Sequence, residues 1–219
     1  MLEAVLFDWS NTLVGFDWDD ELVAAGHRAA LGRDDPEFTA RWRGLVLGEA
    51  HGFRPYVELL EELGVADPDA FVDAEHEAWR PAHAVLAAAR ALLESLRSRG
   101  LRTGVAANSW PEPARVLHAD AEAFGLAALV DAFVTSDEVG AMKPAPELFL
   151  AACERLGVEP AAAMFVGDSL VRDVQGAANV GMTTAQAMWF RADDSIVPVE
   201  PDFRAFTPMD VLNFARRLA

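Results

Sequence analysis

Residues 4–14 read AVLFDWSNTLV. The apolar run 4–7 has the length and flanks of a strand buried on both faces. It delivers one carboxylate, Asp8, and then breaks into the polar turn Trp9-Ser10-Asn11-Thr12. Open parallel sheets bind ligands beyond the carboxyl ends of their strands, so an acid there is a candidate site residue. Two residues past Asp8, where a second acid could assist it, stands Ser10.

Outward from this strand the rhythm changes twice. From about residue 17 to 79 the pattern is helical and poor in strands. Asp17 and Asp19 can cap a first helix, and Asp34 or Asp35 with Pro36 suits the start of a second. Gly44, Gly48 and Gly52 weaken its later part. Pro55 opens a third helix ending at Gly64, and Asp67-Pro68 a fourth ending near Trp79. Pro81 marks a boundary. Beyond it, helices are predicted at 83–99, 112–124, 146–156, 171–180 and 208–218. Strands are predicted at 102–107, 132–135, 162–166 and 183–187. Strand and helix alternate, so the fold class is α/β, a doubly wound parallel sheet. Residues 1–15 and 81–219 form that core, and residues 16–80 an inserted helical domain over the carboxyl ends of the strands.

A chain of 219 residues with 52% hydrophobic content can bury a full core, and its net charge is −17. That charge opposes nucleic-acid backbones and anionic membranes, and no basic run offsets it. Cys153 is the only cysteine, which excludes an internal disulfide and makes a cysteine-based zinc site implausible. No apolar run is long enough to span a bilayer and no leader pattern opens the sequence, so the expected location is the cytoplasm. Oligomeric state is not legible. Of 18 basic residues 17 are arginine; the single lysine is Lys143.

Three strand ends carry polar clusters: Asp8 to Thr12, then Asn108-Ser109, then Gly167-Asp168-Ser169 with Asp173 five residues after Asp168. Between the last two, Lys143-Pro144 leads into a helix. Carboxylates from separate strand ends can converge on one hard cation, and Mg²⁺ takes few carboxylates alongside waters and phosphate oxygens. A lysine and the amides of a polar turn can hold the remaining oxygens of a phosphoryl group. In such a site Asp8 attacks phosphorus and water hydrolyses the resulting aspartyl-phosphate.

On these residues the chain resembles the haloacid dehalogenase-like hydrolases, with a helical cap inserted after motif I. Asp8 in FDWSNTL matches the family nucleophile. Asn108 in VAANS matches the asparagine that often follows the motif II hydroxyl residue. Lys143 in GAMKPAPELF matches motif III, and Asp168 and Asp173 in FVGDSLVRDVQGAANVGM match motif IV. The resemblance implies Mg²⁺ held by Asp8, the Ser10 carbonyl and Asp168, with Asp173 behind them. It implies substrate contacts from Asn108, Ser109 and Lys143, and a small phosphorylated metabolite as substrate.

Two departures bear on activity. Ser10 replaces the second aspartate of the family motif, the general acid/base, and a hydroxyl has no useful pKa for that task. Losing a positioned acid/base costs about 10²–10⁴ in rate. Ala107 replaces the motif II hydroxyl; Ser109, two residues on, is either its substitute or a cap for the helix after Pro111. Asn11 stands where the family usually has glycine, and asparagine tolerates a left-handed turn. Asp168 can also cap the following helix, and Asp173 can be a solvated first-turn acid. Arg41, Trp42, Arg43 and Arg54 in the insert are candidate substrate contacts, although arginines on helices are usually solvated, and His27 or His51 could supply the missing proton. His27, His51, His76, His83 and His118 lack metal-ligand spacing. The alternatives are a phosphate- and metal-binding regulatory protein with little turnover, or a phosphonate or haloacid hydrolase. The insert lacks the lysine of the phosphonate chemistry, and Gly167-Asp168-Ser169 with Asp173 argues against the haloacid chemistry.

Overall fold

The computed structural model describes residues 1–16, 19–47, 53–190, 195 and 198–218. Asp17, Gly48, His51 and Gly52, singled out above, lie outside the described residues. The chain enters through β1 (Ala4–Phe7) and the short β2 (Val14–Gly15). Four helices follow: α1 (Asp20–Leu31), α2 (Pro36–Trp42), α3 (Tyr56–Glu62) and α4 (Pro68–Trp79). β3 (Ala84–Val85) then returns antiparallel to β2, with Val14 opposite Val85 and Gly15 opposite Ala84. After it come α5 (Ala89–Arg97), β4 (Arg102–Ala107), α6 (Ala114–Ala123), β5 (Ala132–Thr135), α7 (Ser136–Val139) and α8 (Pro146–Leu156). β6 (Ala163–Gly167), α9 (Gly176–Asn179), β7 (Thr183–Ala187), β8 (Phe203–Ala205) and α10 (Pro208–Leu218) complete the chain.

Six strands form one parallel sheet in the order β5-β4-β1-β6-β7-β8. β1 is central, and all four of its residues are fully buried, which is why it is apolar throughout. Its side chains alternate between two layers. Val5 and Phe7 pack with Leu92, Leu93, Leu96, Leu117 and Leu212. Ala4 and Leu6 pack with Phe149, Ala152, Phe165 and Ala177 on the opposite face. Each large side chain so buried contributes about 1.5–3 kcal/mol. The strand order reverses between β1 and β6, so the crevice of a doubly wound sheet opens there, directly beyond Asp8.

The helical block has a core of its own, centred on Trp42, Tyr56 and Trp79. Its helices start where local chemistry dictates. Asp19, Asp35 and Asp67 accept hydrogen bonds from Leu22 N (2.7 Å), Phe38 N (2.9 Å) and Ala70 N (3.0 Å). Pro36 and Pro68 occupy first-turn positions, where the missing N–H costs nothing. Gly26 lies so close to the Trp79 indole that any Cβ would meet Nε1 at 2.3 Å, and that indole donates to Leu22 O at 3.0 Å. Gly44 lies in the wide-turned stretch Arg43–Leu47 that follows α2.

Several expected boundaries move. The helix predicted from residue 83 begins only at Ala89, because Ala84 and Val85 pair with β2 and Leu86 N donates to Leu13 O at 2.9 Å. The helix predicted from residue 112 begins at Ala114, since Pro113 directly ahead of it is extended. The helix predicted at 171–180 is a wide-turned stretch, Leu170–Gln175, followed by the short α9. β8 was not foreseen; it is a three-residue edge strand. No helix among the described residues is long and apolar enough to cross a membrane.

Candidate active site

The ladder of β1 runs one step past its end, where Asp8 N donates to Val166 O at 2.8 Å. This holds Asp8 level with Gly167, the last residue of β6. The chain then turns tightly: Trp9 O accepts from Leu13 N (2.9 Å) and Val14 N (3.0 Å). Asn11 takes the left-handed conformation, φ 56°, as its short polar side chain permits. Trp9 turns inward against Phe133 and Phe124. Ser10 is exposed at the head of the turn.

Four expected residues meet here. Lys143 Nζ lies 2.6 Å from Asp8 Oδ1 and 2.7 Å from Asp173 Oδ1, and its side chain is 2% exposed. Asp173 Oδ2 accepts from Ser169 N at 3.0 Å, so both oxygens of Asp173 have protein partners. Asp8, Asp168 and Asp173 place carboxylate oxygens within 4.8 Å of one another. Gly167 makes this possible: a Cβ there would sit 2.4 Å from Asp173 Cγ and Oδ2.

Charge is out of balance in this pocket. Burial alone would strip the proton from Lys143, but Asp173 and Asp8 hold it on and raise its pKa. Asp168 is pushed up to about 7, first by burial and then by the charges of Asp8 and Asp173. Three buried acids face one lysine. That charge deficit and the all-oxygen donor set fit a hard divalent cation.

Two expected substrate contacts are engaged elsewhere. The Asn108 amide holds the Lys143 loop instead, taking Lys143 N at 2.8 Å and donating to Lys143 O at 3.4 Å. Ser109 is fully buried; its hydroxyl accepts from Asp137 N (3.0 Å) and pairs with Ser136 Oγ (2.8 Å). It does not cap the helix after Pro111. Asp137 in turn accepts from Ala114 N at 2.9 Å and so caps α6. The helix after Asp168 is capped by Ser169, which accepts from Arg172 N, and not by Asp168.

The insert's expected contributors also lie elsewhere. His27 is sealed in the insert core, bonded to Thr39 Oγ1 at 2.8 Å, with burial pulling its pKa down to about 4. Trp42 is fully buried, Arg43 pairs with Asp20 at 2.7 Å, and Arg54 pairs with Glu62 at 2.9 Å. Gly167 was overlooked as a site residue. The signal available was its place directly before Asp168, where a close approach requires a missing side chain.

Known proteins resemble this chain over most of its length. The family model for haloacid dehalogenase-like hydrolases matches residues 2–181. The glyceraldehyde 3-phosphate phosphatase of Methanopyrus kandleri is 29% identical, over 100% of this chain and 99% of its own length. The N-acetylmuramic acid 6-phosphate phosphatase of Pseudomonas aeruginosa is 31% identical, over 84% of this chain and 80% of its own. A crystal structure of a HAD phosphatase from Thermococcus onnurineus superposes with a TM-score of 0.72 at 26% identity, covering 97% of each chain. The two relatives are named phosphatases, and the chain belongs to the haloacid dehalogenase-like hydrolase family.

Proposed function

We propose that this protein hydrolyses a small phosphorylated metabolite through an aspartyl-phosphate on Asp8, with Mg²⁺ as cofactor, and that it turns over slowly. The observation that carries the proposal is Asp8 at a central strand end, paired with Lys143 at 2.6 Å and grouped with two further buried acids. The names of the relatives, both sugar phosphate phosphatases, support the substrate class. Asp8, Asp168 and the Ser10 carbonyl would hold Mg²⁺, with Asp173 behind them. When bound, the ion offsets the charge that keeps an anionic phosphate from an anionic nucleophile.

A carboxylate oxygen of Asp8 attacks phosphorus, and the P–O bond to the leaving group breaks. Lys143 offsets the charge gathering on the phosphoryl oxygens. Asp173 and Asn108 are positioning residues: the first fixes the Lys143 ammonium, the second its backbone. The leaving alkoxide takes its proton from water, because Ser10 cannot supply one. Water then attacks the phosphorus of the acyl phosphate, again without a positioned base. Residues 16–80 act as the cap: they leave from the turn after Asp8, and Trp110, just past β4, reaches them by donating to Val46 O at 3.1 Å.

Phosphate release from a panel of sugar phosphates with Mg²⁺ is the test. Asp8→Asn should abolish it, and turnover surviving that change would sink the mechanism. Ser10→Asp should raise turnover by ~10² or more. A second reading, a phosphate-binding regulatory protein, draws on Ser10, Ala107 and the internal engagement of Ser109. It gains if Ser10→Asp binds Mg²⁺ and phosphate yet stays inactive.

A further inference from the structure

Where the insert rejoins the core, a second group of titratable side chains is buried. His76 in the last turn of α4, His83 just before β3, Glu112 ahead of α6 and Asp120 within α6 have side chains 6, 2, 9 and 1% exposed. Glu112 Oε1 lies 2.9 Å from His76 Nδ1 and 3.4 Å from His83 Nε2. Both rings therefore turn their other nitrogen toward Asp120. His76 Nε2 is 3.0 Å from Asp120 Oδ1, and His83 Nδ1 is 3.9 Å from Asp120 Oδ2.

The last pair is too far apart for a hydrogen bond, and both of its atoms are buried without a hydrogen-bond partner among the described residues. With the ring proton of His83 on Nε2, toward Glu112, the lone pair of Nδ1 faces the lone pairs of Asp120. Two buried acceptors aimed at each other call for a cation between them. A tetrahedral ion with ligands at 2.0–2.2 Å sets neighbouring ligand atoms about 3.4 Å apart. His76 Nε2 and His83 Nδ1 lie 3.0 and 3.9 Å from the two different oxygens of the Asp120 carboxylate, separations of that order.

We propose that His76 Nε2, His83 Nδ1 and the Asp120 carboxylate bind a divalent transition ion of the Zn²⁺ class, with Glu112 holding both rings from behind. Ligand atoms of His76, Glu112 and Asp120 lie within 4.8 Å of one another, and Glu112 is the member bonded to the far nitrogen of His76, Nδ1 at 2.9 Å. Glu112 therefore takes the outer position that a carboxylate commonly occupies behind ligating histidines. Imidazoles distinguish this site from the all-oxygen group at Asp8, which suits a hard ion. In the metal-free protein a proton bridges the cluster. Burial disfavours that proton, but hydrogen bonds to Asp120 and Glu112 outweigh burial and raise His76 to about 9. The ion displaces it from Nε2. Arg80, whose Nε is 3.7 Å from Asp120 Oδ1, stands on the solvent side and already has Glu77 as a partner at 2.7 Å. The bound ion links α4 and the returning strand to α6, stapling the insert to the core at its junction. This proposal is independent of the phosphatase reading.

The test is titration of the chelator-treated full chain with Co²⁺. The expected result is one equivalent with the intense visible absorption of four-coordinate Co²⁺, displaced by Zn²⁺. Asp168→Asn should keep the band, Glu112→Gln should weaken binding 10–100-fold, and His83→Gln and Asp120→Asn should remove it. Should those variants fail to fold, the Asp168→Asn protein decides, because micromolar Zn²⁺ must raise its Tm. A wild-type chain with no four-coordinate band overturns the proposal. So does a band that survives His83→Gln, a band lost in Asp168→Asn, or a Tm that Zn²⁺ leaves unmoved.

Discussion

Gly167→Ala offers a sharp test of how the site is built. The added methyl would meet Asp173 Cγ and Oδ2 at 2.4 Å, about 1 Å short of the ~3.5 Å optimum for such contacts. Gly167 is locked in the ladder between β1 and β7, so the carboxylate has to yield. A shift of about 1 Å stretches its 2.7 Å bond to Lys143 and its 3.0 Å bond from Ser169 N beyond hydrogen-bonding range. Overpacking costs about 1–3 kcal/mol, and each charge-assisted hydrogen bond about 1.5–3 kcal/mol. Partial relaxation returns some of this, so the expected loss is about 3–5 kcal/mol. Lys143, released from one of its two anchors, should also serve Asp8 less well. Urea unfolding gives the stability change, and phosphate release against Mg²⁺ concentration gives the functional one. We expect weaker Mg²⁺ dependence by roughly 10–100-fold, the usual effect of disturbing an outer-shell carboxylate. A variant within 0.5 kcal/mol of wild type, with the same Mg²⁺ curve, would refute the role assigned to Gly167 and Asp173.

The insert predicts a distinctive pH dependence. His27 Nε2 faces Glu75 Oε1 at 3.3 Å, and Glu75 is bonded to Tyr56 Oη at 2.8 Å. Burial lowers His27 to about 4 and raises Glu75 well above its ordinary 4.5, so the native pair carries one proton. His27 contributes stability that is full above 6.5 and is lost as pH falls. Glu75 contributes stability that is lost as pH rises above 4.5. The two trends oppose each other above 4.5, and the Glu75 loss runs from 4.5 up to its raised native pKa. Glu75→Gln should remove that alkaline loss, and a wild-type-minus-variant difference that is constant from pH 5 to 8 rejects the assignment. Asp67→Ala, which removes the cap of α4, should cost about 1 kcal/mol by chemical denaturation. Cys153 is buried, and burial with Glu159 raises its thiol to about 11. A disulfide reagent at neutral pH should therefore find no reactive thiol in the native protein and one after unfolding.

Much of this protein was determined locally and is legible in the sequence. A fully apolar four-residue run must be buried on both sides, which makes β1 central and places Asp8 at its end. Aspartates before prolines set the helix starts at α2 and α4, because the cap and its partner amide are three residues apart. The order of the polar clusters around Asp8, Lys143, Asp168 and Asp173 was readable for the same reason: each follows its own strand or opens its own helix.

Tertiary structure decided how those clusters spend their hydrogen bonds. Asn108 and Ser109 look like ligand-binding residues along the chain, yet Asn108 holds the Lys143 loop and Ser109 serves α7. Their partners lie 35 and 28 residues away, beyond the reach of spacing arguments. β8 has too few residues to signal itself and exists because β7 offers an open edge. The group of His76, His83, Glu112 and Asp120 has no pattern in sequence at all; it forms only where the returning chain presses α4 against α6. Short-range geometry follows from neighbouring residues. A site assembled across the sheet or across a junction needs the fold to bring its charges together, and burial then decides which of them require a counter-ion.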